Sequence, residues 1–349
     1  SGPIILGALT TLVVYRLGTD LFGSRKVGWR AAVLFSVVPI FDVGCVLIQP
    51  DNGLMLFMAL SWLLFWRAAQ RGAAIGPWLV TGVAAGLALL SKFHAWVMLP
   101  PLFLFLMISR ERIRLLATPG PWLAILTALI VLSPNLYWNA HHGWLTYGFK
   151  AHRSGLGEVH PSAGKLGSYL AGPLLSLSPL VYIACVAAGA KALMRWNDSK
   201  RPELIYLFLA GAPLPLFFMT LSPLVSISLH WPALGYVPLT ILAVGMIEGG
   251  QLFGTRYGKA MLGVAAAMAA VLHSTPLLIP MIPDHFRPLA SRKEVDTGRL
   301  RAEMADWGDL GRQVRELYDK FNDPQGTLVM TPDYHLAAQL AFYSKLPSG

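Results

Sequence analysis

Long apolar stretches separated by short polar segments recur from the first residues to about residue 280. A helix of about twenty apolar residues is enough to cross a bilayer. The pattern therefore predicts about ten spans, at roughly 3–22, 29–47, 53–69, 77–91, 94–109, 120–137, 167–193, 203–221, 231–248 and 259–280. The fourth and fifth are short and meet at a polar break, Ser91–Lys92. Beyond Pro280 the pattern changes. In "GDLGRQVRELYDKF", Leu310, Val314, Leu317 and Phe321 fall on one helical face. "GTLVMT" reads as a short strand and "DYHLAAQLAFYS" as another helix. The expectation is an all-α polytopic membrane domain over 1–280 and a small C-terminal α/β domain over 281–349.

Composition supports that class. The 349 residues are 55% hydrophobic and 13% charged, about half the charge of a typical soluble domain. The net charge of +10 invites a nucleic-acid reading, but the basic residues sit in alternate connections. Arg16, Arg25, Lys26 and Arg30 flank the first connection, and Arg67 and Arg71 follow the third span. Arg110, Arg112 and Arg114 follow the fifth span, and Lys191, Arg195, Lys200 and Arg201 the seventh. Arg256 and Lys259 follow the ninth. The positive-inside rule assigns these to the cytoplasm, so the lipid bilayer explains the charge and no nucleic acid is needed. The loops at 48–52, 91–94, 138–166 and 222–231 then share the outer side, with the C-terminal domain. Residue 1 also falls outside, directly against a span. This leads us to expect an upstream helix and outer loop, and leaves the tail domain open to truncation at Gly349. Cys45 and Cys185 lie in apolar runs and form no disulfide framework or zinc motif.

The outer loops hold most of the unusual polar residues. Asp51 follows the second span, and Lys92 and His94 occupy the break "LLSKFHAW". The longest loop supplies Asn139, His141, His142, Trp144, Lys150, His152, Arg153, Glu158 and His160. "ISLHWPALGY" adds His230 and Trp231, and Asp42 lies within the second span. Each has an ordinary reading. An aspartate at a span end is often simply solvated, interfacial tryptophans such as Trp96 and Trp122 are anchors, and His273 packs in a helix. An ionisable group within a span, such as Asp42, faces protein or water. The histidines form no tight ligand motif, so metal binding is a minority reading. Together, though, cations, aromatics and a carboxylate at a membrane surface suit one chemistry. A lipid-linked phosphate is held by Arg or Lys. A sugar takes aromatic platforms and amide or imidazole hydrogen bonds. Transfer from a phosphate leaving group needs a carboxylate base.

The ordered segments "QPDNGLMLFMALSWLLFWRA", "AAGLALLSKFHAW", "SPNLYWNAHHGWLTYGFKAHR" and "HWPALGYVPL" resemble the GT-C glycosyltransferases. The resemblance is to the bacterial branch related to protein O-mannosyltransferases and lipid A aminoarabinose transferases. The tail resembles the periplasmic domain of part of that branch. The resemblance implies a bacterial inner-membrane enzyme with its active site facing the periplasm. There it would invert the anomeric centre as it moves a sugar from a polyprenyl-phosphate donor to lipid A, lipopolysaccharide core, another glycan or protein. It carries a catalytic or site role onto Asp51 and phosphate contact onto Arg153, with His152 and Lys92 as weaker phosphate candidates. The family's principal acidic signature belongs to a first outer loop, here expected upstream of residue 1. Asn52, Asn139, His141, His142, Trp144, His230 and Trp231 are the candidates for sugar or acceptor contact. No cofactor is required; a divalent metal, with His152 as its weak candidate ligand, is left open. A lipid-sugar transporter or flippase is the alternative, since membrane-embedded charges and broken helices also fit transport. The appended tail domain and the absence of paired repeats speak against it. A non-enzymatic scaffold is a third reading.

Overall fold

The computed structural model describes residues 2–108, 111–148, 161–196, 198, 200–278, 307–320, 329–331 and 334–345. The chain divides into two compact units, Ser1–Leu272 and His273–Gly349. In the first, α1 (Gly2–Phe22), α2 (Arg25–Val37), α3 (Pro39–Val46), α4 (Pro50–Arg71) and α5 (Ile75–Ser91) lead to the short α6 (Ala95–Met98) and α7 (Pro100–Ile108). A 3-10 turn (Ile113–Ala117) precedes α8 (Pro119–His141). There follow α9 (Ala163–Ser176), α10 (Pro179–Met194), α11 (Pro202–Gly211), α12 (Pro213–Leu221), α13 (Ala233–Glu248) and α14 (Thr255–Leu278), whose last residues enter the second unit.

Helix positions follow the hydropathy reading, but continuity does not. By length and composition, α1, α4, α8 and the α11–α12 segment can each cross a membrane, and two bent pairs raise the number to six. The expected second span bends by 69° between α2 and α3, and the seventh by 114° between α9 and α10. Proline causes both breaks. Pro39 and Pro179 open the second arms; each lacks an N–H donor and drives the preceding residue out of the helical region. Val38 is extended, and Ser178 has φ 90° while its hydroxyl accepts from Val181 N. The helices α5 and α13, and the α6–α7 segment, are apolar but shorter than a full crossing.

Small residues let backbones approach. A Cβ on Gly82 would meet the Ala124 carbonyl oxygen at 2.3 Å, and one on Gly86 would meet Val131 Cβ at 2.6 Å. This Gly-xxx-Gly stripe on α5 packs directly on α8. The core of the unit is aromatic. Phe65, Trp66 and Phe105 surround Tyr206, whose hydroxyl donates to the Trp62 carbonyl at 2.5 Å.

In the second unit, α15 (Trp307–Tyr318) and α16 (Tyr334–Ser344) match the two helices expected from the sequence and pack on each other. Gly311 lies against Tyr343. The first half of the expected strand, and Phe321 of the expected apolar face, lie outside the described residues; Val329–Thr331 carry no strand.

Candidate functional site

The site begins with the turn "IQPDNG". Pro50 opens α4, Gln49 caps it, and the Asn52 side-chain oxygen accepts in return from Gln49 N at 2.9 Å. The Asn52 amide also donates to the Gly44 carbonyl at 2.5 Å, tying the end of α3 to the start of α4. Asn52 is buried. Its polar atoms are committed to backbone, so the structure gives this expected sugar contact a structural task. Asp51, one residue earlier, stands in the first turn, where the helix dipole favours a carboxylate.

Lys92 is the extended C-cap of α5. Its Nζ donates to both Asp51 oxygens, at 2.7 and 2.8 Å, and the two side chains are only 13% and 15% exposed. Gly53 stands between their helices. A Cβ there would meet Ser91 Oγ at 2.9 Å, so the absent side chain lets the start of α4 lie close against the end of α5.

The other loops that the charge pattern assigns to one side converge on the same end of the helices. Phe93 packs against Tyr147, ring centroids 4.9 Å apart. His94 lies 5.2 Å from the Phe218 ring and 6.4 Å from Trp231. Ser162 N donates to Pro223 O, and Lys165 Nζ to Leu224 O, both at 2.8 Å. The four segments assigned to one side by charge are thus joined by direct contacts. His230 stands in the field of the ion pair. Partial desolvation lowers its pKa from the usual histidine value; the Lys92 charge lowers it further and the Asp51 charge opposes this. At neutral pH its ring is uncharged and able both to donate and to accept a hydrogen bond.

The end of α8 forms a separate aromatic ledge. Asn139 is fully buried and clamps the following turn, its amide donating to Asn135 O and its carbonyl accepting from Thr146 N. His141 stacks near Tyr137 and His142 on Trp138, each with ring centroids 4.2 Å apart. Their Nδ1 atoms bond the carbonyls of Tyr137 and Trp138. A carbonyl only accepts, so Nδ1 donates in each pair, and Nε2 of each exposed ring is left facing outward. Trp144, half-exposed with φ 58°, continues the ledge to Tyr147.

Arg153 and His152, with Lys150, Glu158 and His160, lie outside the described residues. Among the described residues no three His, Cys, Asp or Glu side chains are grouped to hold a metal ion. The hydropathy pattern gave no sign of a cavity of about 350 Å³ between α4, α5, the α6–α7 segment and α8. Phe65, Ala85, Leu89, Trp96, Phe103 and Ala128 contribute to its wall, and Trp96 lies four residues beyond Lys92. Its lining comes from helices distant in sequence, so no local motif marks it.

The family model for dolichyl-phosphate-mannose-protein mannosyltransferase matches residues 2–138. A lipid A galacturonosyltransferase of Rhizobium johnstonii is 26% identical over 282 residues, 80% of this chain and 58% of that protein. An undecaprenyl phosphate-alpha-4-amino-4-deoxy-L-arabinose arabinosyl transferase of Yersinia enterocolitica is 26% identical over 63% of this chain and 40% of its own length. The enzyme of the same name from Erwinia tasmaniensis is 28% identical over 38% of this chain and 25% of its own length. The chain therefore spans little more than half, or less, of each of these relatives. No solved structure shows significant similarity to it. The resemblance read from the four ordered segments is borne out: in sequence the chain is similar to glycosyltransferases, including one named for lipid A.

Proposed function

We propose that this protein transfers a sugar from a polyprenyl-phosphate donor to an envelope acceptor, lipid A or a related glycan or protein, on the periplasmic face of the inner membrane. The observation that carries the reading is the buried Lys92–Asp51 pair at the end where the outer loops meet. Asp51 holds the ammonium in one place, and the ammonium is the charge that a donor phosphate requires. The apolar cavity beside Trp96 suits the hydrocarbon of such a donor. The aromatic and imidazole groups of His230, Trp231, His141, His142 and Trp144 suit a sugar or its acceptor.

In the proposed reaction an acceptor hydroxyl oxygen attacks the anomeric carbon from the face opposite the phosphate. The carbon–oxygen bond to phosphate breaks, and its electron pair leaves with the polyprenyl phosphate. The hydroxyl proton passes to a carboxylate base. Both Asp51 oxygens already accept from Lys92 Nζ, so Asp51 serves as a positioning residue for Lys92. Lys92 and Arg153 together offset the charge that grows on the leaving phosphate.

The test is transfer of labelled sugar from a polyprenyl-phosphate donor by membranes containing the complete protein. Product formation that is lost in Asp51→Asn supports the reading. Movement of the lipid-linked sugar across vesicles without transfer would instead establish the flippase alternative. Sidedness is tested by a reporter fused after Phe286, which should report from the periplasm; a cytoplasmic signal would overturn the orientation.

A further inference from the structure

At the other end of α13 a second hollow, of about 140 Å³, opens between α2, α13 and α14. The 16 residues of α13 put it about 24 Å along the helix from the Trp231 turn, at ~1.5 Å per residue. Its floor is apolar: Leu34, Val244, Ile247, Met261 and Leu262. Its rim is charged. Glu248, nearly buried, receives Lys26 at 2.9 Å and is also paired with Arg30. Lys26 and Arg30 are four residues apart and share one face of α2. Lys259 of α14 completes the rim; among the described residues it makes no ion pair. Three cations face one carboxylate, leaving an excess of two positive charges. Trp29, 65% exposed beside Arg30, is the kind of residue found at headgroup depth.

We propose that this hollow binds an anionic phospholipid, its phosphate on Lys259, Lys26 and Arg30 and the start of an acyl chain on the apolar floor. Charge complementarity selects the headgroup, and basic pockets between membrane helices take anionic lipids in this way. A zwitterionic lipid lacks the net charge, and a free phosphate would leave the apolar floor uncovered. The site is distinct from the Lys92–Asp51 end and does not depend on the transferase reading.

The experiment counts lipids retained on the purified protein by native mass spectrometry, using phosphatidylglycerol against phosphatidylcholine of the same chains. Lys259→Ala should retain about fivefold less phosphatidylglycerol, the worth of one interfacial cation, and Lys259→Glu should reduce it to the phosphatidylcholine level. Leu262→Trp, which fills the floor, should lower retention with every charge intact. Arg71→Ala, an exposed cation at the end of α4, should behave as the unsubstituted protein. Size-exclusion profiles identify any variant that misfolds, and Lys259→Ala, a surface change, keeps the test valid if Leu262→Trp fails. Equal retention in Lys259→Glu and the unsubstituted protein would overturn the proposal. So would displacement of the lipid by millimolar inorganic phosphate alone.

Discussion

Lys92 Nζ bridges both carboxylate oxygens of Asp51, 41 residues earlier in the chain, at 2.7 and 2.8 Å. Each residue compensates the other, so removing one leaves a mostly buried charge. Asp51→Asn and Lys92→Met should each cost roughly 1–3 kcal/mol of stability, while the protein stays folded in the membrane. The double variant should cost less than their sum, because it removes both charges together. All three should lose most transfer activity. Thermal unfolding in detergent, paired with the transfer assay, checks both halves. Near-normal turnover in Asp51→Asn would return the residue to a solvated boundary aspartate.

The contact between Gly53 and Ser91 yields a second test. Gly53→Ala should force the start of α4 from the end of α5 and reduce transfer about tenfold, since misplacement by about 1 Å can cost as much or more. Adding Ser91→Gly should restore much of it, by removing the hydroxyl that the new methyl meets. Failure of that rescue would mean that Gly53 matters for another reason.

His230 supplies a pH prediction with a definite sign. Its pKa should lie below the ordinary histidine value of 6.5, measurable by NMR titration of the labelled ring. Lys92→Met should raise it, because a repelling cation is gone. Asp51→Asn should lower it, because an attracting anion is gone. If neutral His230 contacts the sugar, kcat/KM falls as pH drops through the depressed pKa, and His230→Gln flattens that limb. Unchanged titration in both variants would separate His230 from the pair.

Arg153 carries the donor-phosphate prediction. It lies in a loop poor in cations by the charge pattern, so topology does not account for it. Charge-assisted hydrogen bonds contribute about 1.5–3 kcal/mol, or roughly tenfold to more than a hundredfold. Arg153→Ala should abolish most transfer and Arg153→Lys should weaken donor use, since an ammonium cannot grip two oxygens in the guanidinium's planar fork. His152→Ala should do less, unless a metal is bound there. Varying donor concentration decides the matter: wild-type donor dependence in Arg153→Ala would make these basic residues headgroup anchors.

Hydropathy and charge determined a good deal unaided. Helix positions in the first unit follow the apolar runs, because burying or embedding each run is the largest free-energy term that its residues control. Alternating basic connections grouped the loops around Asp51, Lys92, Trp144 and Trp231 at one end, because each crossing reverses direction. Asp51 and Lys92 were visible as polar intrusions in apolar context, but their pairing was not. It depends on two helices touching at Gly53 and Ser91, a contact across 38 positions that no local pattern encodes. The same holds for Asn52 and Asn139. Their residue type suits a sugar as well as a backbone cap, and only the surrounding carbonyls and amides decide which partner is nearer. The 69° and 114° bends were partly legible as Val38–Pro39 and Ser178–Pro179, since a proline removes a backbone donor and disfavours a helical residue before it, although Pro134, Pro173 and Pro238 stand inside unbroken helices. The size of each bend was set by what the second arm packs against, which is a property of the fold.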